Sequence, residues 1–189
     1  VPQKKFKIMI VCEDKKFVFI KNPKTASRSL SSFFINNFKC FNLGLDHSIN
    51  IPSQYKDFTI YLTIRNPLSR AVSAWKHVVK DWKIKNLGDG DLSLKQYLKY
   101  RMFSTGDGFN FFYQSHLLNQ FNRNIVKIIY FEKVQTQVQM YFGKSNLSFE
   151  GRSEGLDWNY YYRHKKIQQI AFDSLEKDIN MFKCYKKFF

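Results

Sequence analysis

Two stretches of this 189-residue chain set cations, hydroxyls and helix starts in the order that anion chemistry needs. The first is Lys21-Asn22-Pro23-Lys24-Thr25-Ala26-Ser27-Arg28-Ser29, between an apolar β-type run and a helical pattern. Small residues (Thr25, Ala26, Ser27, Ser29) let a backbone close on an anion, hydroxyls add donors, and Lys24 carries charge. These are the physical ingredients of a phosphate loop. It is not a Walker A sequence, which requires two glycines where this segment has none. Taken alone, it reads equally as an ordinary strand-to-helix turn. The second stretch is Arg65-Asn66-Pro67-Leu68-Ser69-Arg70-Ala71-Val72-Ser73. An Arg at the end of a buried strand and a hydroxyl two helical turns later could clamp a second phosphate. Taken alone, the plainer reading has Arg65 capping a carbonyl or pairing an acid, with Ser69 and Arg70 exposed.

The elements that must position these residues follow from apolar periodicity. Phe6–Val11 and Phe17–Ile20 read as two short strands joined by a turn over Glu13–Lys16. Leu30, Phe33, Phe34 and Phe38 recur at helical spacing, which predicts a helix from Ser27 to Phe38. A loop from Asn42 to Gln54 follows, then a buried strand over Thr59–Ile64. Pro67 suits the first turn of a helix, and Leu68, Ala71, Val72, Trp75, Val78, Val79 and Trp82 continue it at the 3.6 period. Beyond the break at Gly88–Asp91 come a short helix over Leu94–Met102, a strong strand over Ile125–Phe131 and a helix over Val134–Phe142. Ser145–Gly155 is polar and irregular. Ile167, Ile170, Ala171, Leu175, Ile179 and Phe182 mark a long C-terminal amphipathic helix. The alternation predicts the α/β class, a parallel sheet covered by helices, in a single domain over residues 1–189. Ligands of such sheets collect at the carboxyl ends of the strands, where both stretches fall.

Together the two stretches resemble the paired nucleotide motifs of the sulfotransferase superfamily, which transfers sulfonate from 3′-phosphoadenosine 5′-phosphosulfate (PAPS). Pro23–Ser29 is similar to that family's 5′-phosphosulfate loop, and Arg65–Ser73 to its 3′-phosphate motif, with Arg and Ser eight residues apart. The Pro-Lys-Thr-Ala-Ser wording is closest to the carbohydrate branch, especially the uronosyl 2-O-sulfotransferase-like enzymes. Weaker likenesses at Phe112-Tyr113-Gln114, Tyr130-Phe131-Glu132 and Leu175–Phe182 carry the resemblance over nearly the whole chain, although only the first two motifs are specific.

The resemblance implies a P-loop-like sulfotransferase fold with a central, mostly parallel β-sheet flanked by helices. It also implies in-line attack of an acceptor hydroxyl on sulfur, with adenosine 3′,5′-bisphosphate leaving. Negative charge then grows on the bridging oxygen, where a cation lowers the barrier; Lys24 matches the family lysine in that role. The backbone N–H groups and hydroxyls of Thr25, Ala26, Ser27, Arg28 and Ser29 would hold the 5′ group, and Arg65 and Ser73 the 3′-phosphate. Arg28 stands where the family commonly has Thr or Ser, which leaves its target, nucleotide or anionic acceptor, open. The chemistry requires no metal, and no ligand spacing suggests one.

An acceptor hydroxyl needs a base near neutral pH, and His is the usual choice. His47, in Asp46-His47-Ser48, falls in the interval where the carbohydrate branch places its catalytic His, and is the expected general base. Its plainer role would be local hydrogen bonding within a loop. His77, His116 and Lys21 are candidates for the acceptor side, with structural roles as the plainer alternative for the two histidines. His164, amid Arg163, Lys165 and Lys166, reads as part of a basic helix face. Glu132 is expected to satisfy a helix terminus. Arg152 falls where the family has a flexible loop over the nucleotide, without matching a motif.

Composition bounds the partners. Lys+Arg number 31 against 15 Asp+Glu, a formal net charge of +16, which admits nucleic acid, an anionic membrane or glycan surface, or a highly charged small anion. Of the basic residues 24 are Lys, mostly scattered as solvated surface, and only 7 are Arg, the residue of forked anion contacts. Aromatics at 18% exclude intrinsic disorder. No apolar run approaches the roughly 18 residues of a membrane span, so a chain soluble as given is expected. That leaves a soluble enzyme or the excised catalytic part of an anchored one, with residue 1 a Val. Cys12, Cys40 and Cys184, odd in number and widely scattered, read as neither a disulfide framework nor a zinc site. The expected partners are a nucleotide sulfonate donor and a glycan or small hydroxylated acceptor, anionic acceptors included, rather than nucleic acid. The competing readings are a P-loop-like kinase, disfavoured by the missing glycines, and a non-enzymatic basic module for polyanions. For the second, the stacking candidates are Tyr160-Tyr161-Tyr162.

Overall fold

A computed structural model describes residues 9–43, 51–84, 93–101, 114–144, 146–148 and 157–186. In chain order the first elements are β1 (Met9–Cys12), β2 (Phe17–Ile20), α1 (Ser27–Asn37), β3 (Cys40–Leu43), β4 (Thr59–Ile64) and α2 (Pro67–Ile84). After these come α3 (Leu94–Gln96), which widens into a π turn over Tyr97–Arg101, then α4 (Gln114–Leu118), β5 (Val126–Tyr130), α5 (Val134–Phe142), α6 (Trp158–Tyr161) and α7 (Lys165–Lys186). Contacts group the chain into two compact units, Val1–Ile64 with Leu118–Glu150, and Arg65–Leu117 with Gly151–Phe189. Among the described residues no helix is long and apolar enough to cross a membrane.

The first unit is built on a five-stranded sheet in the order β3-β1-β2-β4-β5. The class is mixed α/β, but the parallel expectation holds only for part of the sheet. β2, β4 and β5 run parallel, with Ile20 beside Leu62 and Ile64 beside Tyr130, so their carboxyl ends share one edge. β1 is antiparallel to both β2 and β3. The reason for the first of these pairings is the length of the connection: a four-residue turn can join only antiparallel neighbours. β3 lies inside and just before what periodicity reads as loop. Cys40-Phe41-Asn42-Leu43 buries no apolar face, and its large residue, Phe41, is exposed. Pairing with β1, not pattern, makes it a strand.

Aromatic packing holds this unit together. On one face of β2 and β4, α1 and α5 supply Phe33, Phe34 and Phe142 against Phe17, Phe19 and Tyr61. Phe34 is fully buried and meets Phe17, Phe19 and Phe142 with ring centroids 5.1, 5.2 and 5.0 Å apart, all tilted or edge-on as ring quadrupoles prefer. α5 stops at Gly143, whose φ of 70° closes the helix with an N–H to Gln139 O bond of 2.9 Å.

In the second unit α2 packs Ala71, Val72 and Ala74 with Leu94, Tyr97 and Leu98 and with Ala171, Leu175 and Ile179 of α7. Small residues on the facing helices allow close approach. Ser93 starts α3 with a reciprocal capping box to Gln96. The predicted helix from Leu94 therefore exists, but it opens into the π turn before Met102, which lies outside the described residues. The Tyr162 O–H donates to Leu68 O at 3.1 Å and ties the segment after α6 to α2.

Because Phe34 has no exposed surface and meets five rings, Phe17, Phe19, Phe33, Phe38 and Phe142, Phe34→Ala should cost about 3–5 kcal/mol. Urea unfolding of the variant measures it; a loss under about 1 kcal/mol would show that the cluster is not the core of the unit.

Candidate active site

The first stretch begins where β2 ends. Asn22, Thr25 and the β4 residue Thr63 are all buried. The Asn22 amide donates to Thr63 O (2.7 Å), the Thr25 hydroxyl to Asn22 O (2.7 Å), and the Thr25 and Thr63 hydroxyls bond each other (2.5 Å). These bonds fasten the loop to the neighbouring strand. Between them the backbone takes an unusual course. Lys24 and Ala26 adopt φ of 66° and 62°, left-handed values that a side chain disfavours, while Thr25 between them does not. The result is two positive-φ positions flanking Thr25 in a loop with no glycine. Ala26 is also the residue that starts α1, and it makes no side-chain cap.

The residues selected from sequence in this stretch thus lie on one loop and the first turn of α1. Lys24, Ala26 and Ser27 are half-buried, Arg28 is exposed and Ser29 is buried. The Thr25 hydroxyl faces inward on Asn22 and Thr63, so what Thr25 offers outward is backbone. Lys21 donates from Nζ to Asn42 Oδ1 on β3 at 2.6 Å.

The second stretch is organised from beneath. Asn66 Oδ1 accepts the N–H groups of Leu68 (3.0 Å) and Ser69 (3.3 Å), capping α2 just ahead of Pro67. Arg65 Nε donates to Ser69 Oγ at 2.9 Å. The Arg65 backbone is clamped by Gln114, whose Oε1 accepts Arg65 N–H and whose Nε2 donates to Arg65 O, both at 2.8 Å. Gln114 is itself held by Asp178 of α7. The carboxylate accepts Gln114 N–H (3.0 Å), Ser115 N–H (2.9 Å) and Ser115 Oγ (2.8 Å), and stands 3.9 Å from Arg70 Nη1.

The plainer alternative, with Ser69 and Arg70 exposed, does not hold: both are buried, Arg70 to 3% exposure, beside an Asp178 at 0%. A guanidinium can be buried there because an ionised partner is buried with it. Desolvation pulls the Arg70 pKa below the ordinary guanidinium value, and Asp178 and then Tyr97 oppose that shift. Neither Gln114 nor Asp178 was selected from sequence as a functional residue. The signal existed: Asp178 sits between Leu175 and Ile179 on the apolar stripe of α7, where a carboxylate needs a buried partner.

Ser69, Ser73 and His77 follow at four-residue steps, one face of α2. Ser73 is buried and His77 half-buried; His116 on α4 and His164 before α7 are exposed. Glu132 is exposed two residues before α5, and nearby Gln137 Oε1 accepts Tyr130 N–H at 2.6 Å. His47 and Arg152 lie outside the described residues, as does Phe112-Tyr113. An open groove of about 280 Å³ along α7, lined by Phe172, Asp173, Glu176, Ile179, Asn180 and Lys183, includes none of the selected residues. It is a feature of one helix face.

Set against protein-family models, curated proteins and solved structures, the chain matches none. Its chemistry is therefore read from the geometry. Successive N–H groups in backbone of alternating hand form a concavity that binds anions, and an uncapped helix start adds its dipole. The capped start of α2, with Arg65 held at its entrance, is a second cationic terminus.

Two outcomes test this anatomy. Ala26→Gly should hold or raise stability by up to about 1 kcal/mol and Ala26→Val lower it by about 1–2 kcal/mol, because only glycine takes positive φ freely; the reverse order in urea midpoints would deny the left-handed position. Asp178→Ala should cost about 3–5 kcal/mol, since it strands a buried guanidinium and two N–H groups. Pairing it with Arg70→Met should return much of that loss; no recovery would place the cost elsewhere.

Proposed function

We propose that this chain is a PAPS-dependent sulfotransferase acting on a hydroxyl of a carbohydrate, in a P-loop-like sulfotransferase fold. One observation carries the reading: a glycine-free loop at the carboxyl end of β2 takes positive φ at both Lys24 and Ala26 and runs straight into an α1 without a side-chain cap. An ordinary strand-to-helix turn needs no such backbone, and side chains at positive φ persist where surroundings hold them for a purpose. The residues fit an anionic group: N–H donors at a helix start, a lysine beside them, and hydroxyls at the first turn.

PAPS would supply the sulfonate. Within the chain, Lys24 would offset the charge that grows on the bridging oxygen as the phosphate leaves. The backbone from Thr25 to Ser29 would bind the 5′ phosphosulfate, with the Thr25 hydroxyl fixing the loop instead of touching the donor. Arg65 and Ser73 would hold the 3′-phosphate, and His47 would take the acceptor proton. Lys21, His77 and His116 would serve the acceptor, a glycan or small hydroxylated molecule. The net charge of +16 would gather anionic examples.

A second reading, a polyanion-binding module without catalysis, has its own support: Tyr160 is 41% exposed and carries Arg163 over its ring at 4.1 Å. The two separate cleanly. With PAPS and a glycan panel, the enzyme releases adenosine 3′,5′-bisphosphate and sulfated product, whereas the module binds polyanions with steep salt dependence and ignores PAPS. Lys24→Ala should lower turnover by about 10²–10³-fold. His47→Ala should lower turnover while nucleotide affinity by calorimetry stays, and Arg65→Ala should weaken that affinity. A folded wild-type chain that binds neither PAPS nor adenosine 3′,5′-bisphosphate overturns the proposal. Turnover of ATP with Mg²⁺ instead would make it a kinase.

A further inference from the structure

Sequence scatters the three cysteines, but the sheet reunites two of them. In the antiparallel pairing of β1 with β3, Cys12 and Cys40 are direct partners. Directly opposed residues of an antiparallel pair project to the same face, with Cα atoms about 4.5 or 5.5 Å apart according to the type of pair. Both spacings fall in the range of about 4.4–6.8 Å that a disulfide spans. The two side chains share one surrounding: Cys40 packs against the core cluster that contains Cys12. The third cysteine, Cys184, is exposed on α7.

We propose that Cys12 and Cys40 are a disulfide site, closed by exchange with a low-molecular-weight disulfide. Half-buried Cys40 is the entry point, since Cys12 has no exposed surface. The Cys40 thiolate attacks one sulfur of RS–SR, which forms a Cys40–SR mixed disulfide and releases RS⁻. The Cys12 thiolate then attacks the Cys40 sulfur, closes the Cys12–Cys40 bond and releases the second RS⁻. The two thiols give up two electrons and two protons, and the reagent becomes two RSH. Burial first, and then Cys12, holds the Cys40 thiol well above the ordinary thiol range. The thiolate is therefore scarce near neutral pH in the folded protein, so closure is faster in alkali and faster during folding.

The position gives the bond a consequence. Residues 13–39, enclosed between the two cysteines, contain β2, α1 and the whole loop from Lys21 to Ser29. The bond would tie β3, the edge strand that carries Asn42 against Lys21, to β1. It would thus fix both ends of the segment that shapes the anion loop, in any environment oxidising enough to keep it closed.

The test uses the full chain carrying Cys184→Ser, reduced, unfolded and refolded in a glutathione redox buffer. Closure lowers the intact mass by about 2 Da, the two hydrogens lost in exchange, and a non-reducing peptide map returns Cys12 joined to Cys40. The oxidised form should melt about 5–10 °C above the reduced one, as expected for closing a loop of this length. Single Cys12→Ser and Cys40→Ser variants should show no such shift, and Cys12→Ser should retain glutathione on Cys40 in the refolding mixture. Free thiols or two glutathione adducts on the refolded chain with both cysteines, at a poise where small dithiols are oxidised, would overturn the proposal. A closed bond that leaves the melting temperature unchanged would overturn its role in bracing the loop.

Discussion

Thr63 is buried in the middle of the sheet, yet it makes two polar attachments outside its own ladder: Asn22 reaches its carbonyl and Thr25 its hydroxyl. These bonds set the course of the loop that follows β2. Left-handed backbone at a residue with a side chain costs on the order of 1–2 kcal/mol, and here it occurs at Lys24 and again at Ala26. Buried hydrogen bonds contribute about 1 kcal/mol each, so three of them are of the size needed to hold two such positions. A loop with positive φ usually obtains its shape from glycine; this one obtains it from anchorage. Everything offered to a ligand, from the N–H groups to Lys24, depends on the loop staying fastened to β4.

The second unit solves a related problem with charge. Asp178 has no exposed surface, and its oxygens accept two backbone N–H groups and a hydroxyl while facing Arg70. A carboxylate so engaged can remain in the interior, and in return it fixes the start of α4 and, through Gln114, the backbone of Arg65. Arg65 is then held from two sides, by Gln114 on its main chain and by Ser69 on its Nε. Arg65 is thus positioned by neighbours on α2 and α4.

Much of this was legible without coordinates, and the limits have physical causes. Thr59–Ile64 and Val134–Phe142 appear with the boundaries their periodicity predicts, because a buried run between breakers and a strong 3.6 pattern admit few alternatives. The helix from Ser27 ends one residue earlier than predicted. The strand β3 escaped because pairing to β1 defines it, and four residues with an exposed Phe carry no pattern of their own. The burial of Arg70 was not legible because the residue that permits it lies 108 positions downstream, at Asp178. Periodicity sees one helix at a time and cannot supply a partner from another.

What the residues alone determined is the chemistry on offer. Strand and helix periods, the cation–hydroxyl stretches at Lys24 and Arg65, and the excess positive charge are properties of local order, independent of how the chain closes. What only the tertiary structure decided is which of those groups are working surface and which are scaffold. The Thr25 hydroxyl turned inward, Arg70 went into the core, and Cys12 met Cys40 across two strands, all through contacts between residues far apart in sequence. Hydrogen bonds and buried charges are satisfied by whichever group the fold brings near, and that choice is made when distant segments pack.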